Sequence, residues 1–119
     1  MVDLSDVESI RIQLARLCLM PEVRRQPPNI PTSRHRWDPY EVKDRASLSR
    51  YSDAGAWEFI SDTIMSGVPI QHRPPTVEFP DHAYVMIETA TAQEAVYIKV
   101  ALCPAAHLLY GISFHYARY

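Results

Sequence analysis

Apolar residues recur at Val7, Ile10, Leu14 and Leu17 with Cys18, three and four positions apart, the spacing of one helical face. Ser5-Asp6-Val7-Glu8 reads as a capping box, with Ser5 accepting from the backbone and Glu8 reaching back. Pro21 stops this helix, which is predicted within residues 1–20. A second helical period runs through Trp57, Ile60 with Ser61, and Ile64 with Met65. Ser52 or Asp53 caps it, and Gly67 supplies its C-terminal stop. Asp44 to Tyr51 just before it reads as a short helix with Leu48 and Tyr51 facing inward.

Two stretches follow neither period. Pro21, Pro27, Pro28, Pro31 and Pro39 exclude a continuous helix or a central strand from residues 21–42, where Arg24, Arg25, Arg34 and Arg36 also lie. This segment is expected to be an extended Pro/Arg-rich arm. Val68 to Pro80 holds four more prolines and reads as loop, with a short edge strand available over Val68–His72.

The rest of the pattern is that of a sheet. Ala83–Glu88, Val96–Cys103 and Leu108–Tyr116 are rich in β-branched and aromatic residues, and short loops separate them at Thr89–Glu94 and Pro104–His107. Short loops favour antiparallel neighbours, so the expected fold is α+β: an N-terminal helix, the arm, a second helix and a three-stranded antiparallel meander. A chain of 119 residues is read as one domain, 1–119, whose helix-plus-sheet core covers residues 44–119.

Alternation divides the strand faces. Val96, Ile98, Val100 and Leu102 point one way, and Tyr97, Lys99 and Ala101 the other. In the last strand Leu108, Tyr110, Ile112, Phe114 and Tyr116 alternate with Leu109, Gly111, Ser113 and His115. If Leu102 pairs with Leu108, then Tyr97 lies opposite Ser113, Lys99 opposite Gly111, and His115 is diagonal to Tyr97. Tyr97, Lys99, Ser113 and His115 then share one face, where a proton carrier, a cation and a stacking ring suit RNA cleavage without a metal.

Composition adds little to this. No apolar run approaches the length of a membrane span, and two cysteines make no disulfide framework, so a cytoplasmic home is expected. Residues 11–50 carry nine Lys/Arg against four Asp/Glu, which suits an anionic or acidic partner. His72, His82, His107 and His115 have no metal-ligand spacing, and with glycine only at 55, 67 and 111 there is no phosphate loop. No cofactor is expected. Cys103 reads as a small buried residue, and Ser33 to Trp37 as either a phosphate grip or an arm packed on the domain.

Val96-Tyr97-Ile98-Lys99-Val100, followed by Gly111-Ile112-Ser113-Phe114-His115, resembles the end of the motility quorum-sensing regulator toxins, a family of RelE-like endoribonucleases. Trp57–Gly67 is similar to that family's amphipathic helix, and Asp81-His82 to an Asp-His before its first core strand; the likeness spans about residues 57–115. It implies a RelE-like fold and an mRNA-cleaving toxin restrained by a protein antitoxin. It also implies that Tyr97 takes the place of the family's tyrosine and His115 of its final lysine. His72 or Arg73 falls near a loop lysine, and Met86 stands where the family has glutamine. The expected catalytic set is therefore His115, Tyr97, Lys99 and His72, with Arg73, Ser113, Arg118, Arg34 and Arg36 holding RNA. The alternative expectation is a non-catalytic protein-binding module that uses the arm and the open sheet face.

Overall fold

The computed structural model describes residues 6–25, 37–44, 49–77, 80–89 and 95–117. In it Asp6 caps helix α1 (Val7–Cys18), accepting from the Ser9 backbone N–H and, at 2.7 Å, from the Ser9 hydroxyl. The expected cap, Ser5, lies outside the described residues. Glu8 pairs with Arg11 at 2.9 Å. Arg11 also donates to the carbonyls of Ile64 and Val68, at 2.6 and 3.2 Å, which ties α1 to the end of helix α2 (Asp53–Met65). The Ile64 carbonyl needs such a donor because the last turn of a helix leaves its acceptors unpaired.

Ser52 caps α2, accepting from Gly55 N–H at 3.0 Å. The chain leaves the helix through Gly67 at φ +91°, a left-handed conformation that glycine adopts without a Cβ clash. The helices touch closely where the buried Ser61 hydroxyl donates to the Ala15 carbonyl at 2.9 Å. Arg50 and Lys43 form an antiparallel bridge, with Asp44 N–H donating to Ser49 and Tyr51 N–H to Val42. Asp44 and Ser49–Tyr51 are not helical, and residues 45–48 of the short helix expected over Asp44–Tyr51 lie outside the described residues.

The sheet has five strands in the order β1-β5-β4-β3-β2. These are β1 (Arg24–Arg25), β2 (Gln71–Arg73), β3 (His82–Thr89), β4 (Ala95–Cys103) and β5 (Leu108–Tyr116). The meander expected from the sequence forms its centre. The correction is at both edges: β2 adds an antiparallel strand to β3, and β1 pairs parallel with β5. The fold is α+β, with a mixed sheet instead of three antiparallel strands alone.

One sheet face is apolar. Tyr84, Met86, Val96, Ile98, Val100, Leu102, Leu109 and Phe114 share a buried cluster with Ile10, Leu14, Trp57, Ile60 and Ile64 of the two helices. Removing that much apolar area from water is the dominant favourable term for the fold.

The arm is not free along its described parts. Pro21–Val23 makes a tight turn into β1, and Trp37 forms a parallel bridge with Phe114, so two separated pieces of the arm lie along β5. Asp38 N–H donates to the Phe114 carbonyl at 2.9 Å, and Lys43 N–H to the Tyr116 hydroxyl at 3.0 Å. A Cβ at Gly111 would come within 2.6 Å of the Trp37 ring, so the indole can lie on the strand only because position 111 has no side chain. Pro27, Pro28, Pro31, Arg34 and Arg36 fall outside the described residues. No helix among those described is long and apolar enough to cross a membrane.

Candidate active site

The face of the sheet turned away from the helices is assembled by β4. Alternation places Tyr97, Lys99 and Ala101 there, and pairing brings each its neighbours. Tyr97 stands between Ile87 and His115, Lys99 between Val85 and Ser113, and Ala101 between Ala83 and Tyr110. Beyond β3, Gln71 pairs with Val85 and Arg73 with Ala83, and Arg73 donates to the Gln71 side chain at 2.9 Å.

The register differs from the expected one. Leu102 pairs with Leu109, not Leu108, and a bulge between Lys99 and Val100 leaves Ile112 as an extra residue in β5. Both shifts move the pairing in the same direction, so Tyr97 meets His115 directly, where the expected partner was Ser113. The bulge also reverses the face assignment on the turn side. Leu109 and Gly111 lie on the helix side, while Leu108 and Tyr110 pair with the outward-facing Cys103 and Ala101.

Four side chains define the site. The Tyr97 and His115 rings stack, with centroids 5.5 Å apart and planes 28° from parallel. His115 Nδ1 lies 2.8 Å from the Tyr116 carbonyl. A carbonyl only accepts, so Nδ1 carries the hydrogen and the neutral ring keeps its lone pair on Nε2. Burial pushes the Lys99 ammonium below its ordinary value, and the Arg73 charge lowers it further. Burial raises the Tyr97 phenol, with Arg73 opposing the shift. Arg73 thus acts on both neighbours, and its guanidinium and the Lys99 ammonium gather positive charge beside the Tyr97–His115 pair.

The floor between these groups is nearly flat. Ala83, Ala101 and Ser113 are buried, and Ser113 is only 1% exposed. Ser113 is therefore part of the floor and not the RNA contact expected of it.

His72 does not join this set. Residues 71–73 form a strand, and the alternation that turns Gln71 and Arg73 outward sends His72 to the helix side. There its Nε2 meets His82 Nδ1 at 2.9 Å and its ring lies 5.2 Å from that of Tyr84. Met86 is 2% exposed in the core. Arg34, Arg36 and Arg118 lie outside the described residues. Gln71 and Tyr110 were not expected on this face, and only the unforeseen edge strand and bulge put them there.

Other candidate chemistry is dispersed. His107 occupies the β4–β5 turn at φ 53°, and no three His, Cys, Asp or Glu among the described residues are grouped to hold a metal. Cys18 and Cys103 are free thiols. Burial pushes the Cys18 thiol up to about 12, where it is neither a nucleophile nor a ligand at neutral pH. No family model, no curated protein and no solved structure matches this chain.

Proposed function

We propose that the outer sheet face cleaves RNA by general acid–base catalysis, in a RelE-like domain that serves as a toxin and is held in check by a protein antitoxin. The observation that carries this reading is the direct pairing of Tyr97 with His115, with Lys99 in the next pair on the same face. His115 Nε2 takes the proton of a ribose 2′-hydroxyl, and the freed oxygen attacks the adjacent phosphorus. Lys99 and Arg73 hold the phosphoryl oxygens as negative charge grows on them. The phosphorus–5′-oxygen bond breaks, the leaving oxygen takes a proton from water, the His115 imidazolium returns its own proton to solvent, and a 2′,3′-cyclic phosphate remains. Tyr97 stacks on a base or donates its phenolic proton to the phosphate. These groups carry the proton and the charge themselves, so the step needs no metal.

The test is incubation of the purified protein with a mixed RNA pool in EDTA, beside His115→Ala. The expected result is cleavage with cyclic or 3′-phosphate ends, slowed about 10²-fold or more in the variant, the size of a lost general acid–base. Equal cleavage by both proteins removes His115 from the mechanism. Intact RNA with the wild type overturns the nuclease reading and leaves the protein-binding module as the function of this face.

A further inference from the structure

On the β1 edge of the molecule lies a half-open cleft of about 260 Å³, lined by Pro21, Arg24, Arg25, Trp37, Asp53 and Trp57. It contains both tryptophans of the chain, with ring centroids 5.0 Å apart. The Arg24 guanidinium lies 5.7 Å above the Trp57 ring. Its Nη1 donates to the Cys18 carbonyl, while Arg25 donates to the carbonyls of Glu22 and Arg24. Among the described residues neither arginine forms an ion pair. Asp53 supplies the single carboxylate of the lining, and its Oδ1 already accepts from the Trp37 indole at 2.7 Å. Trp57 is only 2% exposed beneath Arg24, so among the described residues the cleft offers two cations, the Asp53 carboxylate and the Trp37 indole.

We infer that this cleft binds a nucleotide unit. The planar base lies against the partly exposed Trp37 indole, the phosphate is taken by Arg25 and the open side of Arg24, and Asp53 Oδ2 accepts from a ribose hydroxyl or base N–H. Each part of the lining answers one part of that ligand. Arginine suits phosphate because its donors form a planar fork. Indole rings stack on any base, as in sites that hold single-stranded nucleic acid. The net charge of two arginines against one aspartate selects an anion over a neutral nucleoside. The inference rests on this cleft alone and does not depend on cleavage at the outer face.

Because Trp37 and Trp57 are the only tryptophans, their fluorescence reports this cleft and nothing else in the molecule. Titration of the full chain with adenosine 5′-monophosphate should change the emission and saturate. Adenosine should bind at least about tenfold more weakly, since the loss of one charge-assisted contact is worth about that factor. Arg25→Ala should weaken the monophosphate about tenfold and leave adenosine unchanged, a split that mere loss of structure does not produce. Trp37→Phe, which keeps Trp57 as reporter, should weaken both ligands. A short oligoribonucleotide binding much more tightly than the monophosphate identifies the unit as part of a strand, and equal affinity identifies a free nucleotide. No saturable change with any of these ligands, or monophosphate and adenosine binding alike in wild type and Arg25→Ala, overturns the inference.

Discussion

Lys99 shows what the outer face costs the protein. Its ammonium is held below its ordinary value by burial first and by the Arg73 charge second. Between the lowered folded value and the unfolded one, the unfolded chain binds more protons, so stability rises with pH across that window. Below the folded value the full penalty is present, and neutral pH lies on that side. Lys99→Met should therefore raise the unfolding midpoint at pH 7 while abolishing phosphate affinity, with its stabilisation shrinking as the pH approaches that of free lysine. Urea titrations at neutral and high pH check the sign. Gly111 is constrained differently. Its would-be Cβ meets three Trp37 ring carbons at 2.6–2.9 Å, so Gly111→Ala should cost about 1–3 kcal/mol as the indole is pushed off the strand. Loss of stability with a shift in tryptophan emission is the expected signature, because the same movement disturbs the Trp37–Trp57 contact.

Among the elements, legibility followed the number of residues that carried the pattern. Both helices and the three long strands repeat their period several times, and the structure places them within one or two residues of expectation. Ser52 was one of two caps read from the sequence, and it is the one used. Ser52→Ala should cost about 1 kcal/mol in a denaturant titration. Two-residue β1 has no period at all, and its Arg-Arg composition argues against a strand; only the β5 edge makes it one. The bulge at Ile112 leaves no mark in an apolar strand, since apolar residues on both sides of it satisfy either face. That is why Leu109 and Tyr110 were assigned to the wrong faces while Ser113 and His115 were assigned correctly. His72 was misplaced for a related reason: a residue read as loop has no face, whereas strand pairing gave it one. The site was thus legible in Tyr97, Lys99 and His115, which follow the simple alternation, and Arg73 was named without a reason in strand geometry.

For the whole molecule the described parts of residues 21–42 follow the reading of an arm packed on the domain. An arm that merely trails from a domain can be removed, whereas this one lays Arg24–Arg25 and Trp37 along β5 and joins its tryptophan to Trp57. The helix before it gives Ile10, Leu14, Ala15, Leu17 and Cys18 to the core. A protein lacking residues 1–42 should therefore lose its cooperative thermal transition and associate through the bared β5 edge. Calorimetry and sedimentation measure the two effects; a folded monomer would show that the segment is an appendage after all.

β5 follows in the chain every segment that leans on it: β1, Trp37, Lys43 and β4. A ribosome thus finishes both tryptophans and the aliphatic wall of β4 before it makes the strand that closes them. Until Phe114 is in place the growing chain displays apolar surface for helper proteins to hold, and translation broken off in the β4–β5 turn yields no smaller working version. The geometry that stacks His115 on Tyr97 also makes the decision to fold a late one, taken once for the whole sheet.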